Sequence, residues 1–152
     1  MNLIDTHAHL NDEKFEGDLE EAIARATVAG VARIINFGDT IASSKSVAEL
    51  AKTEDILYAG VGVHPEEAFP MTDRDDETLA ELAQDAKVAA IGEIGLDYYW
   101  EKDPEARLLQ QKIFVRQLHL AKDLHLPVCI HAREAHEDTL AILKREAKGM
   151  RG

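Results

Sequence analysis

Positive charge is what this sequence has too little of: 17 Lys and Arg stand against 29 Asp and Glu, a formal net charge of −12. A generally basic coat for nucleic acid is excluded. Any polyanionic substrate has to be held by local cations, a few Arg or Lys side chains or bound metal, against an unfavourable overall field. Cysteine is nearly absent. The single one, Cys129, sits inside the apolar run Val128-Cys129-Ile130, so no intramolecular disulfide forms and a reducing cytoplasm is the simplest expectation. No run of about 18 apolar residues occurs, and Met1 to His7 lacks the basic and apolar segments of an export signal, so neither a membrane span nor a leader is expected. Repeats, low-complexity segments and interdomain linkers are missing too. With 45% hydrophobic and 30% charged residues over 152 positions, the composition is that of one globular domain with a real core.

Short apolar, β-branched-rich runs at Leu3 to Thr6, Ala32 to Phe37, Tyr58 to Val63, Val88 to Ile91 and Val128 to Ile130 predict five buried strands. Segments with helical spacing lie between them: Leu19 to Ala26, Val47 to Ala51, Leu79 to Ala86 and Leu108 to Leu118, with a last helix from about Ala135 to Lys148. Gly30, Pro104 and Pro127 punctuate them. Alternating strands and helices with near-continuous apolar strands imply an α/β fold built on a parallel sheet. A closed barrel of eight units spends about 31 residues on each, so this chain supplies about five units of one. An open doubly wound sheet is the other arrangement five strands allow, but no Gly-rich phosphate loop follows the first strand. Asp5-Thr6-His7-Ala8-His9 stands there instead, which points to a metal.

His7 and His9 alternate around Ala8, so in extended geometry both imidazoles project to one side, about 6.5–7 Å apart at the backbone. One cation can bridge them, and Asp5 is placed to orient a ligating histidine; two histidines in a solvated loop are the plainer reading of the same pattern. Polar residues also interrupt the other strand ends: His64 after the third, Glu93 and Asp97 after the fourth, His131, Arg133 and Glu134 after the fifth. Functional groups of parallel α/β folds collect at these carboxyl ends. Glu93, beside an apolar strand, has to pair with Arg or bind a cation, and its carboxylate can bridge two metals. Three imidazoles and a carboxylate suit Zn, Mn, Co or Fe better than Ca, with Mg also usable. His64 is either a substrate or supporting contact, or a turn residue before Pro65. Arg133 has the planar fork for a phosphate, or else pairs with Glu134 or Glu137. Tyr98, Tyr99 and Trp100 either pack the rim or form a stacking platform for a base or sugar. His119, His125 and His136 are expected to be structural or solvent-facing, and the acidic run Asp73 to Glu77 to be a solvated helix start.

Asp5-Thr6-His7-Ala8-His9-Leu10, Gly62-Val63-His64-Pro65, Ala90-Ile91-Gly92-Glu93-Ile94-Gly95-Leu96-Asp97-Tyr98-Tyr99 and Pro127-Val128-Cys129-Ile130-His131-Ala132-Arg133-Glu134-Ala135 closely resemble the TatD family of metal-dependent deoxyribonucleases, over essentially the whole chain. The resemblance implies a (β/α)₈ barrel of TIM type, amidohydrolase-like, with two divalent metal ions (Mg, Mn or Zn) at its carboxyl face and DNA as substrate. By position, His7 and His9 are then ligands of one metal, Glu93 bridges both and takes the catalytic role, and His131 holds the second. His64, Arg133 and Tyr98 are assigned to the substrate. Family members continue through a further histidine in the sixth strand and an aspartate near the eighth, so residues 1–152 are expected to be a single hydrolase domain cut before the sixth strand. Its unsealed edges favour self-association. An amidohydrolase-like amide or ester hydrolase, and a half-barrel that binds metal or a partner without turnover, are the alternatives.

Overall fold

The computed structural model describes residues 2–150; Met1 and the closing Arg151-Gly152 of the expected domain lie outside the described residues. Five strands, β1 (Leu3–Ala8), β2 (Val31–Phe37), β3 (Leu57–Val61), β4 (Val88–Asp97) and β5 (Val128–Arg133), alternate with five helices, α1 (Leu19–Val28), α2 (Ile41–Leu50), α3 (Asp73–Leu82), α4 (Pro104–Asp123) and α5 (His136–Glu146). All neighbouring strands are parallel, in the order β1-β2-β3-β4-β5. A doubly wound sheet reverses its strand order part-way; here the order never reverses. Right-handed crossovers then place every helix on one face, and α2, α3, α4 and α5 indeed pack side by side in sequence. The result is a half-barrel, five of the eight units of the TIM type.

The core lies between sheet and helices, around Val47, Leu57, Leu79, Ile91, Phe114 and Leu118, all buried. β4 is its axis and is buried along almost its whole length, whereas the edge strand β1 is exposed, with Leu3 44% and Ile4 61% accessible. Helix ends follow local chemistry. Gly30 stops α1 with φ of 93°, Pro104 opens α4 behind the Asp103 cap, and Thr72 and Asp75 form a capping box at α3. The acidic start of α3 is more than solvated: Arg116 of α4 pairs with Asp73 and Asp76 at 2.8 and 2.7 Å.

Two strands run further than the apolar pattern predicts. β4 continues through Glu93 to Asp97, and β5 through His131 to Arg133. Gly92, Glu93 and Gly95 look like breakers in sequence, but the pairing shifts register between Ile91 and Ile94, so that β4 bulges by one residue against β5 at Gly92-Glu93. Gly95, at φ of 144°, allows the close approach beyond the bulge: a Cβ there would sit 2.0 Å from the His131 carbonyl oxygen.

α4 clasps the sheet's carboxyl end. Gln117, fully buried, accepts from the Val63 N–H at 2.7 Å and donates to the Val63 carbonyl at 3.0 Å. Replacing it by Leu strands both groups away from water, at a cost of about 1–3 kcal/mol each. Gln117→Leu is therefore expected to lower stability in urea unfolding by about 3 kcal/mol with an unchanged m-value, and Val63 to lose amide-exchange protection.

Candidate metal centre

Glu93, 9% exposed, is aimed by the β4 bulge so that its two oxygens face different partners. Oε2 lies 3.1 Å from His7 Nε2 and 3.5 Å from His9 Nε2, and those two nitrogens are 3.1 Å apart. Oε1 lies 3.2 Å from His131 Nδ1, which is itself 3.1 Å from His64 Nε2. The structure thus brings together His7, His9, Glu93, His131 and His64 from β1, β4, β5 and the end of β3. Their ligating atoms form two groups, His7 with His9 and Glu93, and His64 with His131 and Glu66.

Local contacts hold each ring. Asn36 of β2 accepts from the Leu10 N–H at 2.6 Å and so fixes the backbone just after His9. His9 Nδ1 lies 3.6 Å from Asp39. Asp5 does not orient an imidazole, as the sequence led us to expect; its carboxylate accepts from the backbone N–H of His7 at 3.1 Å, and the partner of His7 Nδ1 is the Cys129 sulfur at 3.3 Å. Turn residue and site residue prove to be the same thing in His64: its Nδ1 accepts from the Glu66 N–H and caps the short 3-10 turn Pro65–Glu67, which leaves Nε2 facing His131.

The strand-end group to which the sequence reading gave no role is Asp97. It has no exposed surface and no Lys or Arg against it. Oδ1 accepts from the N–H groups of Tyr99 and Trp100, both at 2.9 Å, and Oδ2 lies 2.9 Å from His131 Nε2. A carboxylate on the far nitrogen of a histidine fixes its tautomer and turns its other lone pair toward the site. Asp97 closes a strand of this sequence as openly as Glu93 does; only the contact across to β5 tells their tasks apart.

Charges follow from this arrangement. Burial pushes Glu93 up, but hydrogen bonds with His131 and His9 and the charge of His7 outweigh it and hold the carboxyl well below its usual range. His9 and His131 are raised, in each case first by the hydrogen bond to Glu93 and against the effect of burial. His64 is lowered by burial and by the charge of His131, and burial with the nearby Glu93 pushes the Cys129 thiol up to about 11.

The donor set fits a cation. Asp97 can only accept, so neutral His131 carries its proton on Nε2; Glu66 N–H donates to His64 Nδ1, so neutral His64 carries its proton on Nε2 and donates to His131 Nδ1. Glu93 Oε1 then faces a nitrogen without a hydrogen at 3.2 Å. A proton on that nitrogen would instead oppose the His64 N–H. A positive ion on the His131 Nδ1 lone pair would satisfy it together with Glu93 Oε1, and the convergence of His7, His9 and Glu93 Oε2 has the same character. N and O donors of this mix suit Zn or Mn. A cleft of about 430 Å³ opens above them, walled by His9, Asp39, His64, Glu66, Glu67 and Glu93.

Three further residues were assigned to the substrate side, His64 and Arg133 by resemblance and Tyr98 from its aromatic cluster. His64 lines this cleft. Arg133, exposed, makes no ion pair with Glu134 or Glu137; its guanidinium stacks 4.0 Å from the Tyr99 ring centre and 5.4 Å from that of Trp100. Tyr98 is turned elsewhere. It is buried, its hydroxyl donates to Asp138 at 2.8 Å and accepts from Gln111 at 2.7 Å, and Arg107 covers its ring, so it ties α4 to α5 and leaves the exposed aromatic faces to Tyr99 and Trp100. His119 pairs with Glu146 at 2.9 Å, and His125 takes φ of 56° just past α4.

The family model described as TatD related DNase matches residues 4–152. The chain belongs to this family. It is 44% identical over 144 residues to the "Uncharacterized metal-dependent hydrolase YabD" of Bacillus subtilis, covering 95% of this chain and 56% of that protein. It is 36% identical over 141 residues to the "3'-5' ssDNA/RNA exonuclease TatD" of Cronobacter sakazakii, covering 93% and 53%. Among solved structures, the Escherichia coli TatD homologue YJJV superposes with a TM-score of 0.85 at 38% identity, covering 95% of this chain and 56% of that one. This TatD-family chain spans about half the length of the curated relatives it matches. No described helix is long and apolar enough to cross a membrane.

Asp97→Asn keeps an oxygen for the Tyr99 and Trp100 N–H groups but turns an amide toward His131. The expected outcome is that neutral His131 loses its uniform Nε2–H form and populates the other tautomer substantially, read from its ring ¹⁵N shifts in solution NMR, while the fold is retained.

Proposed function

We propose that residues 1–152 supply the β1 to β5 part of a metal-dependent phosphodiesterase acting on DNA, with Glu93 at its centre. The observation that carries this reading is the division of one buried carboxylate between His7 and His9 on one oxygen and His131 on the other. In this reading His7 and His9 share one ion with Glu93, and His131 shares a second with Glu93, with Glu66 close enough to join it and His64, its Nε2 protonated, beside it as a hydrogen-bond donor. When bound, two divalent ions supply positive charge to the phosphoryl oxygens and bring the pKa of water toward neutrality. That chemistry matches a chain of net charge −12, whose own cleft is acidic.

The protein's residues do the positioning. Glu93 sets the separation of the two ligand groups, and Asp97 holds His131 so that its Nδ1 faces Glu93. Arg133 stands one step further out on β5, held flat by Tyr99 and Trp100 with its N–H groups available for a phosphate. Support for a nucleic acid comes from the relative named as an ssDNA/RNA exonuclease. The cytoplasm is the proposed site of action, in keeping with the single cysteine and the absence of any membrane-crossing helix among the described residues.

After loading with Mn²⁺ or Zn²⁺ and desalting, two ions per chain are expected, and one after His7→Ala/His9→Ala. At an ion concentration a hundred times the dissociation constant, the linked gain in stability is about 2.7 kcal/mol, reversed by EDTA. Glu93→Ala is expected to abolish Mn²⁺-dependent release of nucleotides from single-stranded DNA. Release unchanged by Glu93→Ala overturns the reading, and turnover of amides or carboxylic esters with DNA left intact would assign the same centre to the amidohydrolase-like alternative.

A further inference from the structure

Beside the metal cleft lies a second, smaller pocket of about 200 Å³, lined by Pro65, Glu66, Ala68, Trp100, Glu101 and Leu109. Glu66 belongs to both and is the wall between them. The lining is apolar on its sides, with one indole that is 61% exposed. An exposed Trp has a free aromatic face, and this one is steadied from behind: the Tyr99 and Trp100 rings meet edge to face at 4.7 Å, with the Arg133 guanidinium over both.

Polar groups of the pocket divide into satisfied and unsatisfied ones. Gln110 lines it but is spent, since its Oε1 accepts from the Asp97 N–H and its Nε2 donates to the Pro65 carbonyl. Glu101 uses Oε1 to accept from the Asp103 N–H. Its other oxygen has no partner among the described residues, and Glu66 forms no ion pair there. The pocket therefore offers an indole, the apolar side chains of Pro65, Ala68 and Leu109 and carboxylate acceptors, with the Arg133 guanidinium 5.4 Å from the centre of the Trp100 ring that lines it. Its volume is below the roughly 300–1,000 Å³ of clefts that take a whole drug-sized ligand, so it suits one planar ring system.

We infer that this pocket is a subsite for a single nucleobase of an unpaired strand, stacked on Trp100 with its backbone phosphate at Arg133, and that Glu101 makes it prefer a base carrying an exocyclic amino group. Cytosine presents N4–H₂, which a carboxylate accepts, where thymine presents the acceptor O4 there and its one donor, N3–H, lies between two carbonyl oxygens that a carboxylate repels. A base inside a duplex keeps both faces covered by its neighbours and cannot enter, so the same pocket selects single strands. The inference rests on the nuclease reading above and adds to it a place and a preference for the nucleotide next to the one being attacked.

The test uses Trp100 as its own reporter, since it is the only Trp in the chain. The Mn²⁺-loaded full chain is titrated with single-stranded phosphorothioate pentadeoxynucleotides, (dC)₅ or (dT)₅, following Trp emission with unlabelled strands and anisotropy with end-labelled ones. The expected results are saturable quenching with the same midpoint as the anisotropy change, and (dC)₅ binding at least fivefold tighter than (dT)₅. Glu101→Gln is expected to erase that ratio with quenching retained, and Trp100→Ala to weaken both strands about tenfold, within the range for loss of one stacked base. Anisotropy showing binding while Trp100 emission stays constant, or Trp100→Ala binding as tightly as the parent, overturns the subsite and leaves the nuclease reading standing. No binding of either strand to the metal-loaded chain overturns both.

Discussion

A carboxylate taken out of water has to find opposite charge or hydrogen-bond donors, because an unpaired ionised group in a protein interior costs several kcal/mol. Glu93 meets that demand with histidines from two strands, His7 and His9 at the end of β1 and His131 of β5, and much of the local backbone follows from it. The bulge that turns Glu93 inward needs Gly92 and Gly95 around it, the extended β4 needs β5 to run out to Arg133, and β5 in turn presents His131. Asp97 repeats the solution four residues on with two backbone N–H groups and the back of the His131 ring. One strand thus carries both the group that gathers the centre and the group that orients part of it.

Acidity and function are reconciled at the same place. Five of the eight residues around the main cleft are carboxylates, and the chain as a whole repels polyanions. On the proposed reading, phosphodiester chemistry in such a cleft would rest on cations concentrated at two points rather than on a diffuse positive surface. The few protein cations nearby act individually: Arg133 is pinned on aromatic faces, and Lys102 is drawn to the Tyr98 carbonyl at 2.7 Å.

Short continuous apolar runs and helical patterning made the alternating α/β plan legible, and the ligand histidines with Glu93 stood out because polar residues at the ends of apolar strands are conspicuous. The choice between an open sheet and a barrel was not legible, since strand order depends on contacts between distant segments; it is the unreversed order of β1 to β5 that decides it. Strand ends were misjudged at Glu93 and His131 because a polar residue flanked by Gly resembles a turn until the pairing across to the next strand is known. Tyr98 was given a task it does not have, and Asp97 none, for the opposite reason. Adjacent residues at a strand end project to different sides, and nothing in a Leu-Asp-Tyr-Tyr-Trp string says which one is buried against Gln111 and Asp138 and which one reaches solvent.

α4 has a further consequence as a measuring rod. Gln110 and Gln117 are two turns apart on one face of the helix, about 10 Å along its axis, and the first grips the ends of β4 and the Pro65 turn while the second grips the end of β3. The distance between the two grips is thereby set by helical rise and not by the sheet. Inserting or deleting one residue between them would swing one amide by about 100° around the axis and release its strand end, so this stretch can vary in composition on its outer side but not in length. Beyond Gln117 the helix is held to the core by apolar packing instead, with Leu118 and Ala121 both fully buried.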